Sequence, residues 1–192
     1  MPIEHKNITD PNIHEPLGVA TADSGDMYVA NGAGSGTWQK SSMNAHGEMT
    51  VTNNTTATVI TAAADATLNT DTDYVKITAG WGAPHAHGVT FNVDELVAPV
   101  NGHYEVAFWS SIKVPSINNF IGIKYAVDDS TPYSLQKIVS QSVSANDYKN
   151  LSGHGGIDLT TGQTVSVYIA GTKTDNLVIE EAGVSLRLLH EQ

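Results

Sequence analysis

The segment His103–Val114, HYEVAFWSSIKV, alternates apolar and polar side chains with a period of two. Successive side chains of a strand point to opposite faces, so Tyr104, Val106, Phe108, Ile112 and Val114 share one face, and Glu105, Ala107, Trp109, Ser111 and Lys113 the other. The same period recurs in Phe120–Val127, where Ile121, Ile123, Tyr125 and Val127 align, and in Thr164–Ala170, where Val165, Val167 and Ile169 point inward and Tyr168 outward. It returns in Gly183–Leu189, with Val184, Leu186 and Leu188 inward and Ser185, Arg187 and Leu189 outward. Weaker strand signals cover Met49–Thr52, Thr56–Ile60, Tyr74–Thr78, Gly88–Val93 and Ser134–Val143. The Ala-rich tract Thr61–Thr70 reads as a loop or irregular edge, and Ser152–Gly156, SGHGG, as a turn by composition. About eight to ten strands with no amphipathic helix predict an all-β chain whose two antiparallel sheets bury their apolar faces on each other.

The first 48 residues read differently. They hold Pro2, Pro11 and Pro16, no sustained period, and the glycine-rich run NGAGSGTW at Asn31–Trp38. A phosphate loop needs a lysine directly after its last glycine, or a helix opening onto the pyrophosphate. Here Thr37 follows Gly36, the nearest lysine is Lys40, and no helical period comes after. Asn-Gly is instead a turn dipeptide, because both residues tolerate positive φ. Met27–Ala30 and Thr37–Gln39 are therefore expected to form a small hairpin within an extended arm, residues 1–48, ahead of a domain at 49–192.

Composition narrows the functional classes. With 9 basic and 20 acidic residues the formal charge is −11, a surface that repels nucleic-acid phosphates and anionic lipid, so neither nucleic acid nor membrane is an expected partner. No run is apolar enough for a spanning helix. The opening Met1-Pro2-Ile3-Glu4 lacks the charged and apolar regions of a signal peptide. The absence of cysteine excludes disulfides, thiolate zinc sites and cysteine nucleophiles.

Chemistry-bearing residues are few. His85-Ala86-His87 would put two imidazoles on one strand face, as metal ligands sometimes are. Its context, WGAP at Trp81–Pro84, is loop-like and no carboxylate is near, so a site shared around a threefold axis is the only defensible metal version. Asp128-Asp129 reads as a solvated hairpin turn, since adjacent carboxylates on a strand diverge and calcium takes many oxygens. No Gly-X-Ser-X-Gly elbow occurs. The expectation is no enzyme, no cofactor and no metal.

The order of motifs resembles one family. An apolar strand, Phe91-Asn92-Val93, precedes Gly102-His103-Tyr104 opening the long alternating strand. Ile157–Val167 then carries an apolar residue, a turn with Gly162 and a strand of alternating valines, and Gly183–Leu189 closes the chain. Over roughly residues 47–190 this resembles the trimeric jelly-roll heads of tumour necrosis factor and complement proteins. The resemblance implies a homotrimer packed through one outer sheet face. Trp109, Tyr168 and Arg187 point away from the predicted core and are the expected interface residues, although a lone exposed aromatic is the alternative for each ring. The arm, with His14, Pro16, Leu17-Gly18, the strand containing Tyr28, the glycine run and Trp38, resembles N-terminal segments of bacteriophage virion proteins. Together the resemblances imply a virion structural protein on the capsid exterior. It would be a decoration or cement protein bound to the major capsid protein through arm residues His14, Pro16, Leu17, Tyr28 and Trp38. A tail fibre or receptor-binding tip recognising host glycan or protein is the alternative, less favoured because the sequence shows no shaft repeat and few loop aromatics (Trp81, Tyr133, Tyr148). A virion depolymerase ranks below both.

Overall fold

The computed structural model describes residues 26–30, 36–40, 45–78, 80–130 and 138–192. The chain divides into two compact units, Met1–Ser41 and Ser42–Gln192. The division expected between residues 48 and 49 falls inside a strand, His46–Val51, that belongs to the second unit.

In the first unit β1 (Asp26–Ala30) and β2 (Gly36–Lys40) form the expected antiparallel hairpin, with Tyr28 directly opposite Trp38. Their rings meet edge-on, centroids 5.4 Å apart at 64°, the geometry that aromatic quadrupoles favour. Gly36 lies against the Val29 carbonyl and the Tyr28 ring, where a Cβ would collide with both. The turn between the strands, and His14, Pro16 and Leu17, lie outside the described residues.

The second unit is a two-sheet sandwich. Its strands are β3 (His46–Val51), β4 (Ala57–Ile60), β5 (Val75–Lys76), β6 (Ala86–His87), β7 (Thr90–Asn92), β8 (Glu95–Val97), β9 (Gly102–Val114), β10 (Phe120–Val127), β11 (Ile138–Gln141), β12 (Asp147–Leu159), β13 (Thr164–Gly171) and β14 (Asp175–Glu191). Sheet one runs β11-β10-β13-β8-β7, with β5 also paired to β13. Sheet two runs β12-β9-β14-β3-β6, with β4 also paired to β14. Every named pairing is antiparallel. Among the described residues there is no α-helix, only a 3-10 turn at Asp71–Asp73, and no helix is long and apolar enough to cross a membrane.

The alternation sets the core as anticipated. Tyr104, Val106, Phe108, Ile112 and Val114 of β9 are buried and meet Ile121, Ile123, Tyr125, Val127, Val165, Val167 and Ile169 of sheet one and Val184, Leu186 and Leu188 of β14 in one cluster. One long strand and the first half of another were not anticipated. Asp147–Leu159, which contains the supposed turn Ser152–Gly156, pairs with β9 along its full length. Gly156 belongs to the sheet for a steric reason. The His103 ring lies across Gly156, where a Cβ would sit 2.6 Å from Nε2, and glycine in a strand often marks such close approach. Asp175–Ala182 extends the last strand backward, past a register shift between Ile179 and Glu181 that hides its period.

The outer face of sheet one is covered by the chain itself. Leu68 and Tyr74 pack on Ala170 and Tyr168, and a Cβ at Gly122 would lie 2.6 Å from the Tyr74 hydroxyl. Beneath this strap Lys124 is fully buried in an ion pair with Asp71, its Nζ 4.6 Å from the Tyr74 ring centroid. Thr61–Thr70 is thus irregular, as read, but it covers a sheet face instead of fraying at an edge.

Candidate functional site

Among the described residues of the second unit, the outer face of sheet two carries no strap like the one packed on sheet one. Register assigns its side chains in rows across the strands. Asp158, His103 and His190 form one row; Glu105, Arg187, His46 and His87 the next. Then come His154, Ala107, Ser185 and Glu48, followed by Ser152, Trp109, Gly183 and Thr50. Trp109 is 48 % exposed, yet its indole lies flat over Gly183, whose missing Cβ leaves room for the ring. Beside it is a depression of about 260 Å³ bordered by Glu48, Thr50, Trp109 and Ser185. His103 lies over Gly156 in the same manner. Both rings occupy space that a Cβ on the neighbouring glycine would fill.

Of the three residues expected at an interface, Trp109 and Arg187 fall on this one face, whereas Tyr168 is on sheet one. Tyr168 is half-buried against the strap cluster, with its hydroxyl 3.3 Å from Asp129 Oδ1. Burial, then the Asp129 charge, raises its phenol above the ordinary range.

Asp128 and Asp129 do turn the chain after β10, and their exposed carboxylates also accept hydrogen bonds. Both residues have left-handed backbone, φ 52° and 49°, which non-glycine residues adopt at a cost. Asp128 accepts from Thr164 N–H at 2.9 Å and Gln163 Nε2 at 2.9 Å, and Asp129 from Ser166 Oγ at 2.8 Å and Lys76 Nζ at 2.7 Å. Lys76 also reaches Glu95 at 2.7 Å and Asp94 at 3.0 Å. Burial pushes the Asp129 carboxyl up, but the hydrogen bonds from Lys76 and Ser166 outweigh it and hold the group below its ordinary range.

His87 lies on β6 and stacks on His46, while the His85 carbonyl accepts the Glu48 N–H at 2.9 Å. Among the described residues no three histidine, aspartate or glutamate side chains are placed to hold a metal ion.

Solved structures place this architecture in a class. The Eiger tumour necrosis factor of S. frugiperda matches with TM-score 0.52 and 13% identity, covering 78% of this chain and 94% of that one. The globular domain of zebrafish complement 1qA matches at 0.50 and 11%, covering 77% and 99%. Murine APRIL at pH 5.0 matches at 0.50 and 13%, covering 76% and 99%. The second unit is therefore a jelly-roll sandwich of the tumour necrosis factor and complement type; identities this low establish fold alone. No family model matches the chain and no curated protein is similar to it in sequence.

Sequence reading missed the histidine rows, the two glycine cradles and buried Lys124. The histidines sit far apart in the chain, and only strand register brings them together.

Proposed function

We propose that this chain is a structural virion protein, a homotrimeric capsid decoration protein that assembles through the outer face of sheet two and holds the shell through its N-terminal segment. The observation that carries the assembly is Trp109, half exposed and flat over Gly183 on the same face as Arg187. Interface cores are enriched in aromatics and arginine, and most soluble oligomers close with symmetry. The anchoring role rests on the sequence resemblance of the arm and on the Tyr28–Trp38 pair, which gives its hairpin a rigid aromatic knob. The major capsid protein is the partner of that arm; the net charge of −11 speaks against nucleic acid and anionic membrane.

The test compares the full chain with a version beginning at Ser42, ahead of β3. Light scattering gives the oligomeric state, and each protein is added to undecorated capsids. Trimers from both, with capsid binding by the full chain alone, match the proposal. A trimer that ignores capsids but adheres to host cells makes it a receptor-binding tip instead.

A further inference from the structure

Histidine is concentrated on one face of the second unit. The chain has eight, and His46, His87, His103, His154 and His190 all project from the outer face of sheet two. Among the described residues the outer face of sheet one carries none. Four of the five form stacked pairs on neighbouring strands. His103 lies parallel to His190, centroids 5.4 Å apart at 19°, and His46 to His87, 5.8 Å apart at 17°.

The charged groups around them come from every adjoining strand. Asp158 on β12 is 2.7 Å from His103 Nδ1, and the same carboxylate oxygen accepts Gln192 Nε2 at 2.9 Å. Glu105 on β9 and Glu191 on β14 flank this first pair. Arg187 on β14 is the cross-strand neighbour of His46, with Glu48 further along β3 and His85 just before β6. The adjoining β7 brings only Thr90, Phe91 and Asn92, none titratable. His154 faces Ala107 near Glu105, and Lys124 and Tyr125 line the narrow cleft beneath it.

We propose that these histidine rows make self-association acid-sensitive, so that copies pack through sheet two at pH 7.5 and separate at pH 5.5. This rests on the reading of that face as the assembly surface. Imidazole is the side chain that changes charge in this interval. Two parallel rings at these spacings repel once both carry a proton, and more strongly when a covering copy excludes the water that screens them. Asp158 offsets charge on the first pair alone, and Arg187 adds fixed positive charge beside the second. An imidazolium must also shed water before the face can be covered, a cost the neutral ring avoids. Symmetry repeats both penalties in every copy.

The full chain is examined by sedimentation velocity over a concentration series at pH 7.5 and 5.5, with circular dichroism at both. Each imidazole that must stay neutral to pack weakens assembly about tenfold per pH unit once it is mostly protonated. The expected result is at least a ~tenfold rise in the dissociation constant at pH 5.5 with the strand signal unchanged. The variants H103Q/H190Q and H46Q/H87Q keep polar side chains without the proton, and at least one should assemble with a reduced pH dependence. Equal assembly at both pH values, or tighter assembly in acid, overturns the switch and leaves the assembly surface standing. A monomer at both values overturns the switch and the assembly reading together. Loss of the strand signal in acid, or full pH dependence in both variants, also overturns it.

Discussion

Lys124 shows how one residue can defy a pattern and stay consistent with it. It sits among Ile121, Ile123 and Tyr125 on the opposite face of β10, where alternation predicts solvent. The strap puts Asp71 over it, and the ammonium is 1% exposed while the Asp71 side chain keeps 22%. Removing one partner of a buried pair leaves the other charge uncompensated, and the penalty is larger when the charge left behind is the more deeply buried one. Asp71→Ala should therefore destabilise the fold by about 2 kcal/mol, the usual cost reduced for the partly exposed carboxylate. Lys124→Met, which fills the space with an apolar chain and leaves only the part-exposed Asp71 carboxylate unpaired, should cost less than Asp71→Ala; urea denaturation measures both. Gly183 is the matching case on the other sheet. Gly183→Ala drives a methyl into the indole of Trp109, so the ring must lift from the sheet. The fold should survive, because the ring can swing toward solvent, while self-association weakens in sedimentation velocity.

Among the elements, the turn after β10 and the short β5 are joined by ions. Lys76 on β5 gathers Asp94, Glu95 and Asp129. Because Asp129 is held below its ordinary range in the folded protein, its contribution to stability is complete above the unfolded carboxyl value, ~3.9, and is lost as pH falls through the folded value. Urea midpoints should fall between pH 5 and pH 2.5, and Asp129→Asn should flatten that decline; a variant with the parent's slope assigns it to other carboxylates. β12 teaches the complementary lesson. By composition Ser152-Gly153-His154-Gly155-Gly156 is a turn, yet β9 supplies a full ladder of backbone partners. A long partner overrides weak strand propensity, and the His103 ring explains why at Gly156 no side chain is wanted.

For the whole molecule, the proposed function makes the sheet-two face the assembly surface. Trp109→Lys puts a charge where an apolar ring would be covered, so it should convert the assembled protein to monomer in light scattering while leaving the dichroism spectrum intact. An unchanged mass would remove Trp109 from the interface. The chain from Ser42 should fold by itself, since every described residue of the core cluster lies at Ala45 or beyond; a denaturation midpoint well below that of the full chain would show otherwise. Sequence alone determined the class of this protein. Period two is a local property of the chain, and Tyr104 to Val114, Ile121 to Val127, Val165 to Ile169 and Val184 to Leu188 wrote it plainly enough to give the sandwich and its core. The Tyr28–Trp38 hairpin was legible for a different local reason, the Asn-Gly turn signal between two short segments. Only the tertiary structure decided which outer face stays open. That choice depends on where the strap from Thr61 to Tyr74 lies and on strand register, both long-range. It separated Tyr168 from Trp109 and gathered His46, His87, His103, His154 and His190, residues scattered along the chain, onto one surface.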